Sequence, residues 1–204
     1  MEEYWLILQS KTLYIFDLDN TLYDEFTFLE EKFKIFLGSQ KFNETLVKSM
    51  LLEFNRCFRG NNLHFIIQNI NSRFKLDMSF EAYKDTLRNK ELAVKISFYP
   101  GVKDKMENIL ASGSKIRLLT NGNLSQQKQK IDTLSKVFNL SDKVVYAIEH
   151  GLKPDPAGLN FIIAQEKANK GEAVLIGDSK SDSECAANAQ IDFILAKEFF
   201  DLET

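Results

Sequence analysis

A short apolar segment that ends in two carboxylates places the strongest constraint on the fold of this chain. Residues 13–16 read Leu-Tyr-Ile-Phe, and Asp17 and Asp19 follow at once. An apolar run without polar alternation is typical of a strand buried on both faces of a parallel sheet. In an extended backbone, residues two positions apart share a face, so the two carboxylates can converge on one ligand. Two acids this close repel each other unless a cation or a proton lies between them. The segment alone equally fits a strand followed by a turn, with Thr21 as a helix cap.

The pattern of apolar residues divides the rest of the chain into two parts. Between residues 24 and 97, apolar side chains recur at helical spacing in four successive stripes, rich in phenylalanine that we expect to form a bundle core. After residue 97, short apolar segments alternate with helical ones, which predicts an α/β fold with a parallel sheet covered on both faces. We therefore predict an α/β core of residues 1–23 and 98–204, interrupted by a helical domain of residues 24–97.

Composition excludes some classes of partner. The 204 residues are 44% hydrophobic and carry a net charge of −3, so no global positive field attracts nucleic acid or an anionic membrane. Cys57 and Cys185 lack metal-ligand spacing, which favours reduced thiols in a cytoplasmic protein. The acidic start before the short apolar run of residues 5–8 is the reverse of a secretory signal. We expect residues 5–8 to add a strand or helix to the core, and the sequence leaves the oligomeric state open.

Two polar segments after the first strand could bind an anion. Thr120 and the backbone N–H groups of Asn121 and Gly122 offer neutral donors for a phosphate-sized group, although this tripeptide also suits a plain turn. Lys153 precedes a proline and can project an ammonium group from a loop, although a solvent-exposed lysine at a helix start is the alternative. Both segments follow predicted strands, at the edge where open α/β sheets bind ligands.

A third polar segment carries two more acids. Asp178 follows a predicted strand, and Asp182 lies four residues later, about one helical turn on. Carboxylates in this arrangement suit a hard cation with oxygen ligands. The alternative is an N-capped helix that carries surface acids.

The ordered motifs resemble those of a known superfamily. Asp17-Leu18-Asp19-Asn20-Thr21, Thr120, Lys153-Pro154 and Gly177-Asp178 with Asp182 resemble the four motifs of the haloacid dehalogenase-like (HAD) hydrolases. The resemblance covers essentially the whole chain, because the helical insertion is similar to the C1 cap of that superfamily. It implies a Rossmann-like parallel sheet with strand order 5-4-1-2-3, in which the first and fourth strands are neighbours.

The resemblance also implies a role for each acid. Asp17 would be the nucleophile that forms an aspartyl-phosphate, while Asp19 would protonate the leaving alcohol and later activate water. Mg²⁺ would be held by the Asp17 carboxylate, the Asp19 backbone carbonyl and Asp178. Asp182 would support this site through water or from behind these ligands. The dehalogenase branch lacks the second acid of the first motif, so the presence of Asp19 favours phosphoryl transfer.

Phosphate binding is implied for three further groups. Thr120, the Asn121 N–H and Lys153 would bind the transferring phosphoryl oxygens, and the lysine would also stabilise transition-state charge. The sequence thus predicts a Mg²⁺-dependent phosphatase that hydrolyses small phosphomonoesters, such as a sugar phosphate or a nucleoside monophosphate. The alternatives are a phosphomutase of the same superfamily and a non-catalytic regulatory protein that binds a phosphorylated ligand.

Substrate choice is predicted to depend on the helical insertion, which closes over the leaving group in this superfamily. The most cationic part of the insertion is a predicted turn near residues 56–64, where Arg59, Asn62 or His64 could reach the substrate. The alternative is a solvent-exposed loop. Near the second motif, we predict a solvent-exposed helix face formed by Gln126, Gln127, Lys128 and Lys130.

Overall fold

The computed structural model describes residues 8, 10–58 and 61–201, and it divides into two compact units. One unit comprises Met1–Asp24 with Ile96–Thr204, and the other comprises Glu25–Lys95. The element predicted at residues 5–8 lies outside the described residues except for Leu8, which is helical.

The described residues of the unit Glu25–Lys95 form four helices, which confirms the predicted helical stripes. They are α1 (Glu25–Ser39), α2 (Glu44–Phe58), α3 (Leu63–Phe74) and α4 (Phe80–Arg88). Aromatic rings fill the interior, as predicted: Phe33 stacks on Phe54 with ring centroids 4.6 Å apart and meets Tyr83 edge-on at 5.4 Å. The buried Tyr83 hydroxyl donates to the Leu29 carbonyl at 2.8 Å, so this ring is satisfied at both its apolar and its polar end.

The other unit is built on a five-stranded parallel sheet. Its strands are β1 (Leu13–Phe16), β2 (Lys115–Thr120), β3 (Val144–Tyr146), β4 (Ala173–Gly177) and β5 (Asp192–Leu195), in the order β3-β2-β1-β4-β5. Read from the opposite edge, this is the predicted order 5-4-1-2-3, so the Rossmann-like fold is confirmed. Strand β1 is central and fully buried, as its unbroken apolar sequence predicts.

Between residues 102 and 199, the described helices of this unit are α5 (Val102–Ala111), α6 (Leu124–Leu134), α7 (Ala157–Glu166), α8 (Lys180–Ala189) and α9 (Ala196–Phe199). Helix α7 begins at Ala157, whose N–H donates to the Asp155 side chain at 2.8 Å. Strand β3 ends at Tyr146, where the chain turns into a short 3₁₀ segment, Ala147–Glu149.

Within the described ranges, no helix combines the length and the apolar character needed to cross a membrane. Cys57 and Cys185 are buried free thiols. The cytoplasmic location stays a prediction.

Gly158 permits the close approach of α7 to β2, and its replacement tests this packing. A Cβ atom at this position would lie 2.6 Å from Leu119 Cδ1, inside van der Waals contact. We expect Gly158→Ala to lower the free energy of unfolding by about 1 kcal/mol or more, since overpacking outweighs the better helix propensity of alanine. Chemical denaturation measures this change.

The matched control is Gly171→Ala in the same unit, where a Cβ would have no neighbour within 4 Å. This variant should unfold within about 0.5 kcal/mol of the parent. Equal stability of both variants would contradict the packing argument.

Candidate active site

The register of the sheet brings the acids of the first and last motifs to one level. Phe16 of β1 pairs with Ile176 of β4, and the Asp17 N–H donates to the Ile176 carbonyl at 2.8 Å. Asp17 therefore leaves β1 beside the point where Asp178 leaves β4. The two acids meet because neighbouring parallel strands end at the same edge of the sheet.

A capping box at the start of α8 positions the third acid. The Asp182 Oδ2 atom accepts from the Ser179 N–H at 3.0 Å and from the Ser179 hydroxyl at 2.5 Å. Asp182 is fully buried, and a Cβ atom at Gly177 would lie 2.6 Å from its Cγ. A glycine at the end of β4 therefore lets this carboxyl group turn back towards the sheet.

Lys153 lies between two of these acids. Its Nζ atom is 2.5 Å from Asp17 Oδ1 and 2.5 Å from Asp182 Oδ1, and its side chain is only 2% exposed. Asn121 orients the lysine backbone, because its amide donates to the Lys153 carbonyl at 3.0 Å and accepts from the Lys153 N–H at 2.9 Å. The alternative interpretation, in which Lys153 is a solvent-exposed residue at a helix start, is therefore wrong.

Burial and charge shift the pKa values of these groups. Burial raises the pKa of Asp17 to about 7, because it outweighs the attraction of Lys153, and Asp182 and Asp19 add repulsion. Burial, followed by repulsion from Asp182, raises the pKa of Asp178 to about 6. Burial opposes the charge on Lys153, but the two carboxylates beside it raise its pKa above the ordinary value.

The donor set fits a hard divalent cation. Asp17, Asp178 and Asp182 each offer a carboxylate oxygen, and these atoms lie within 4.8 Å of one another. Carboxylate oxygens are the ligands that Mg²⁺ and Ca²⁺ prefer. Beside Asp178 opens a cleft of about 600 Å³, which Asn20, Tyr99 and Lys197 also line.

Asp19 is held by three residues. Lys130 Nζ lies 2.8 Å and 2.9 Å from its two carboxylate oxygens, Gln127 Nε2 donates to Oδ2 at 2.7 Å, and the Tyr23 hydroxyl donates to Oδ1 at 2.5 Å. Gln127 and Lys130 are each 2% exposed. The prediction that both lie on a solvent-exposed helix face is wrong.

One signal in the sequence could have identified these two residues. Along α6, Gln127 precedes Ile131 by four residues and Leu134 by seven, and both of these apolar residues are buried. Positions four and seven apart share a helix face, so Gln127 belongs to the inward face. Lys130 is adjacent to Ile131 and borders the same face.

Thr120 is linked to Asp19 through Gln127. The same Nε2 atom lies 2.7 Å from Thr120 Oγ1 and 2.6 Å from the Asn121 carbonyl. Thr120 is buried at the end of β2, so the structure gathers the side chains of all four motifs at one edge of the sheet.

The three candidate specificity residues belong to the helical unit. Arg59 lies outside the described residues. Asn62 is the N-cap of α3, where its side chain accepts from the Phe65 N–H at 2.9 Å. The His64 ring lies 5.1 Å from the Phe80 ring. A role in substrate recognition stays a prediction for all three.

Comparison with known proteins assigns the family. A family model described as haloacid dehalogenase-like hydrolase matches residues 14–196. The chain belongs to this family of hydrolases. A phosphoglycolate phosphatase from Pseudomonas fluorescens (strain Pf0-1) is 25% identical over 186 residues, covering 85% of this chain. The chain spans only 65% of the length of that relative.

Solved structures of HAD hydrolases share the architecture. A candidate β-phosphoglucomutase from Thermotoga maritima matches with a TM-score of 0.64 and 19% identity, covering 93% of this chain and 96% of that chain. A candidate HAD hydrolase from Bacillus subtilis, solved with bound magnesium, matches with a TM-score of 0.63 and 14% identity, covering 90% and 85% of the two chains. At these identities the likeness concerns the fold.

The raised pKa of Asp17 predicts how stability depends on pH in metal-free protein. Because burial raises this pKa from 3.8 to about 7, the folded state retains a proton through a window in which the unfolded chain has released it. We therefore expect the free energy of unfolding to fall as pH rises from about 4 to about 7. Urea titrations in the presence of a chelator measure this slope.

The matched variant is Asp17→Asn, which cannot ionise at this position. Its free energy of unfolding should depend less steeply on pH across the same window than that of the parent. Identical slopes in the two proteins would contradict the assignment of the raised pKa to Asp17.

Proposed function

We propose that this HAD hydrolase is a Mg²⁺-dependent phosphatase that hydrolyses small phosphomonoesters through an aspartyl-phosphate on Asp17. The observation that carries the proposal is the cluster of Asp17, Asp178 and Asp182 carboxylate oxygens within 4.8 Å, together with the Lys153 ammonium 2.5 Å from Asp17. The sequence similarity to a phosphoglycolate phosphatase supports phosphate ester hydrolysis. The magnesium in the Bacillus subtilis structure supports the choice of metal.

The metal would be held by the Asp17 carboxylate, the Asp178 carboxylate and the Asp19 backbone carbonyl, with Asp182 in support. When bound, Mg²⁺ would offset negative charge on the phosphoryl group and on the attacking carboxylate. Asp17 can attack phosphorus only as a carboxylate, although burial favours its protonated form. Lys153 favours the carboxylate, because its ammonium group donates to Oδ1 of Asp17.

Phosphate would be bound by neutral and cationic donors at the sheet edge. The Thr120 hydroxyl and the Asn121 backbone N–H would contact the non-bridging oxygens, while Lys153 stabilises the charge that develops on them. The Asn121 side chain is paired with the Lys153 backbone, which holds this residue beside the lysine that would bind the same phosphoryl group. Hydrogen bonds from fixed donors of this kind strengthen as charge develops in the transition state.

Asp19 would transfer the protons. It would give a proton to the leaving alcohol oxygen as the phosphoryl group moves to Asp17. It would then take a proton from the water that hydrolyses the aspartyl-phosphate, which returns both acids to their starting states. We assign substrate selection to the helical unit Glu25–Lys95, as the resemblance to a C1 cap implies.

A panel of phosphomonoesters tests this function. With Mg²⁺, we expect the parent protein to release inorganic phosphate from at least one sugar phosphate, nucleoside monophosphate or short acid phosphate. A chelator should abolish the release. Asp17→Asn should show no turnover, because an amide cannot attack phosphorus.

The panel also separates the alternatives. Isomerisation of a hexose phosphate in the presence of a bisphosphate, with little phosphate released, would identify a phosphomutase instead. Binding of phosphorylated ligands without turnover of any substrate would identify a regulatory protein and overturn the proposal.

The proton-transfer role of Asp19 predicts a dependence on the leaving group. Asp19→Asn should lower kcat/KM by about 10²–10⁴-fold for alkyl phosphates, because an alkoxide needs protonation as it leaves. For p-nitrophenyl phosphate, whose phenolate leaves without a proton, the loss should be much smaller. Parallel kinetics on the two substrates measure this difference, and an equal loss on both would remove the acid role from Asp19.

A further inference from the structure

Three side chains donate hydrogen bonds to the Asp19 carboxylate, and the proposed reaction gives none of them a role. We name Tyr23, Gln127 and Lys130 the Asp19 clamp. Lys130 contacts both carboxylate oxygens, Gln127 contacts Oδ2 and Tyr23 contacts Oδ1, all within 2.9 Å. The carboxylate is therefore held on both of its oxygens, which limits its rotation about the side-chain bonds.

We propose that Tyr23, Gln127 and Lys130 are positioning residues that fix the Asp19 carboxylate for proton transfer to the leaving group. This inference rests on the proposed function of Asp19. It adds residues from outside the four motifs, two of them on helix α6.

The burial of Lys130 and Gln127 is costly for stability alone. An ammonium group in a buried ion pair loses its hydration, and apolar residues of similar volume often stabilise a fold as well or better. Among the described residues, the Gln127 Oε1 atom has no hydrogen-bond partner although it is buried, which costs about 1–3 kcal/mol. Unsatisfied groups of this kind call for another explanation, and orientation of Asp19 supplies one.

Gln127 also couples two parts of the site. Its Nε2 atom contacts Asp19 Oδ2 and Thr120 Oγ1, both at 2.7 Å. The proposed proton donor and a proposed phosphate-binding hydroxyl therefore share one amide group. This contact fixes the position of the carboxylate relative to the phosphate, which governs proton transfer to the bridging oxygen.

Local sequence holds the clamp in place. Asn123 caps α6, since its side chain accepts from the Ser125 N–H at 3.1 Å, and the helix begins directly after the second motif. Gly122 has φ +122°, and a Cβ there would lie 3.2 Å from Gln127 Nε2, closer than nearly all real contacts. Glycine at this position thus provides the space that the Gln127 side chain occupies.

The experiment compares Lys130→Met with Lys128→Met. Lys128 lies on the same helix but is exposed, so its variant controls for loss of a positive charge on α6. We expect Lys130→Met to lower kcat/KM for an alkyl phosphate by about tenfold or more, and for p-nitrophenyl phosphate by less than about threefold. Lys128→Met should match the parent on both substrates.

A double-mutant cycle separates positioning from a general structural effect. If Lys130 acts through Asp19, adding Lys130→Met to Asp19→Asn should reduce turnover of the alkyl phosphate by less than about twofold more. A full further tenfold loss, or activity below detection, would overturn the inference. Equal losses on both substrates in the single variant would overturn it as well.

Tyr23→Phe covers the case in which Lys130→Met does not fold. This change removes only the hydroxyl that donates to Asp19 Oδ1, and the buried ring keeps its packing. The same selective loss on the alkyl phosphate is expected, and parent-like kinetics on both substrates would overturn the inference. Thermal unfolding of each variant identifies which comparison applies.

The failure of the inference is distinguishable from failure of the proposed function. A parent protein without phosphatase activity, or an Asp19→Asn variant with no dependence on the leaving group, rejects the function on which the inference rests. An active parent with a selective Asp19→Asn defect, but with parent-like Lys130→Met and Tyr23→Phe, rejects the clamp alone.

Discussion

The contact of one buried ammonium group with two buried carboxylates is the interaction on which the site depends. Lys153 lies 2.5 Å from both Asp17 and Asp182, and all three residues are less than 10% exposed. Removing one partner from such a group leaves an uncompensated buried charge, which typically costs about 3–5 kcal/mol. The loop that carries Lys153 is therefore tied to β1 and to α8 by electrostatics as well as by packing. The Asn121 amide adds a tie to the end of β2.

The parallel sheet makes this contact possible, because it brings distant segments to one edge. Asp17 is 136 residues from Lys153 in sequence, and Asp182 is 29 residues from it. Only the strand order places them together, with β1 between β2 and β4. Asp17, Thr120 and Asp178 lie at or directly after strand ends, and Asp182 lies in the first turn of α8, whereas Lys153 comes from a loop that the Asn121 side chain holds. The positions of the acids therefore follow from topology, and the position of Lys153 also needs this loop contact.

The sequence predicted those parts of the site that carry a local signal. Asp17 and Asp178 follow apolar runs, Lys153 precedes a proline, and each marks the end of a strand or the start of a turn. For Gln127 and Lys130 the signal is weaker, because only their spacing from Ile131 and Leu134 indicates an inward face, and a polar helical residue normally faces solvent. Their burial depends on Asp19, which lies 108 and 111 residues away in the chain.

Two lysines offset the repulsion between Asp17 and Asp19, the two carboxylates of the first motif. Two neighbouring carboxylates repel each other, and the charge of Asp19 contributes to the raised pKa of Asp17. Lys153 pairs with the first acid and Lys130 with the second, and the two lysines come from different segments. Each carboxylate thus has its own cation. Separate partners give the two acids different environments. Asp17 is buried and shares Lys153 with Asp182, whereas the Asp19 side chain remains 19% exposed. Different environments are the physical requirement for two neighbouring carboxyl groups to act as a nucleophile and as a proton carrier.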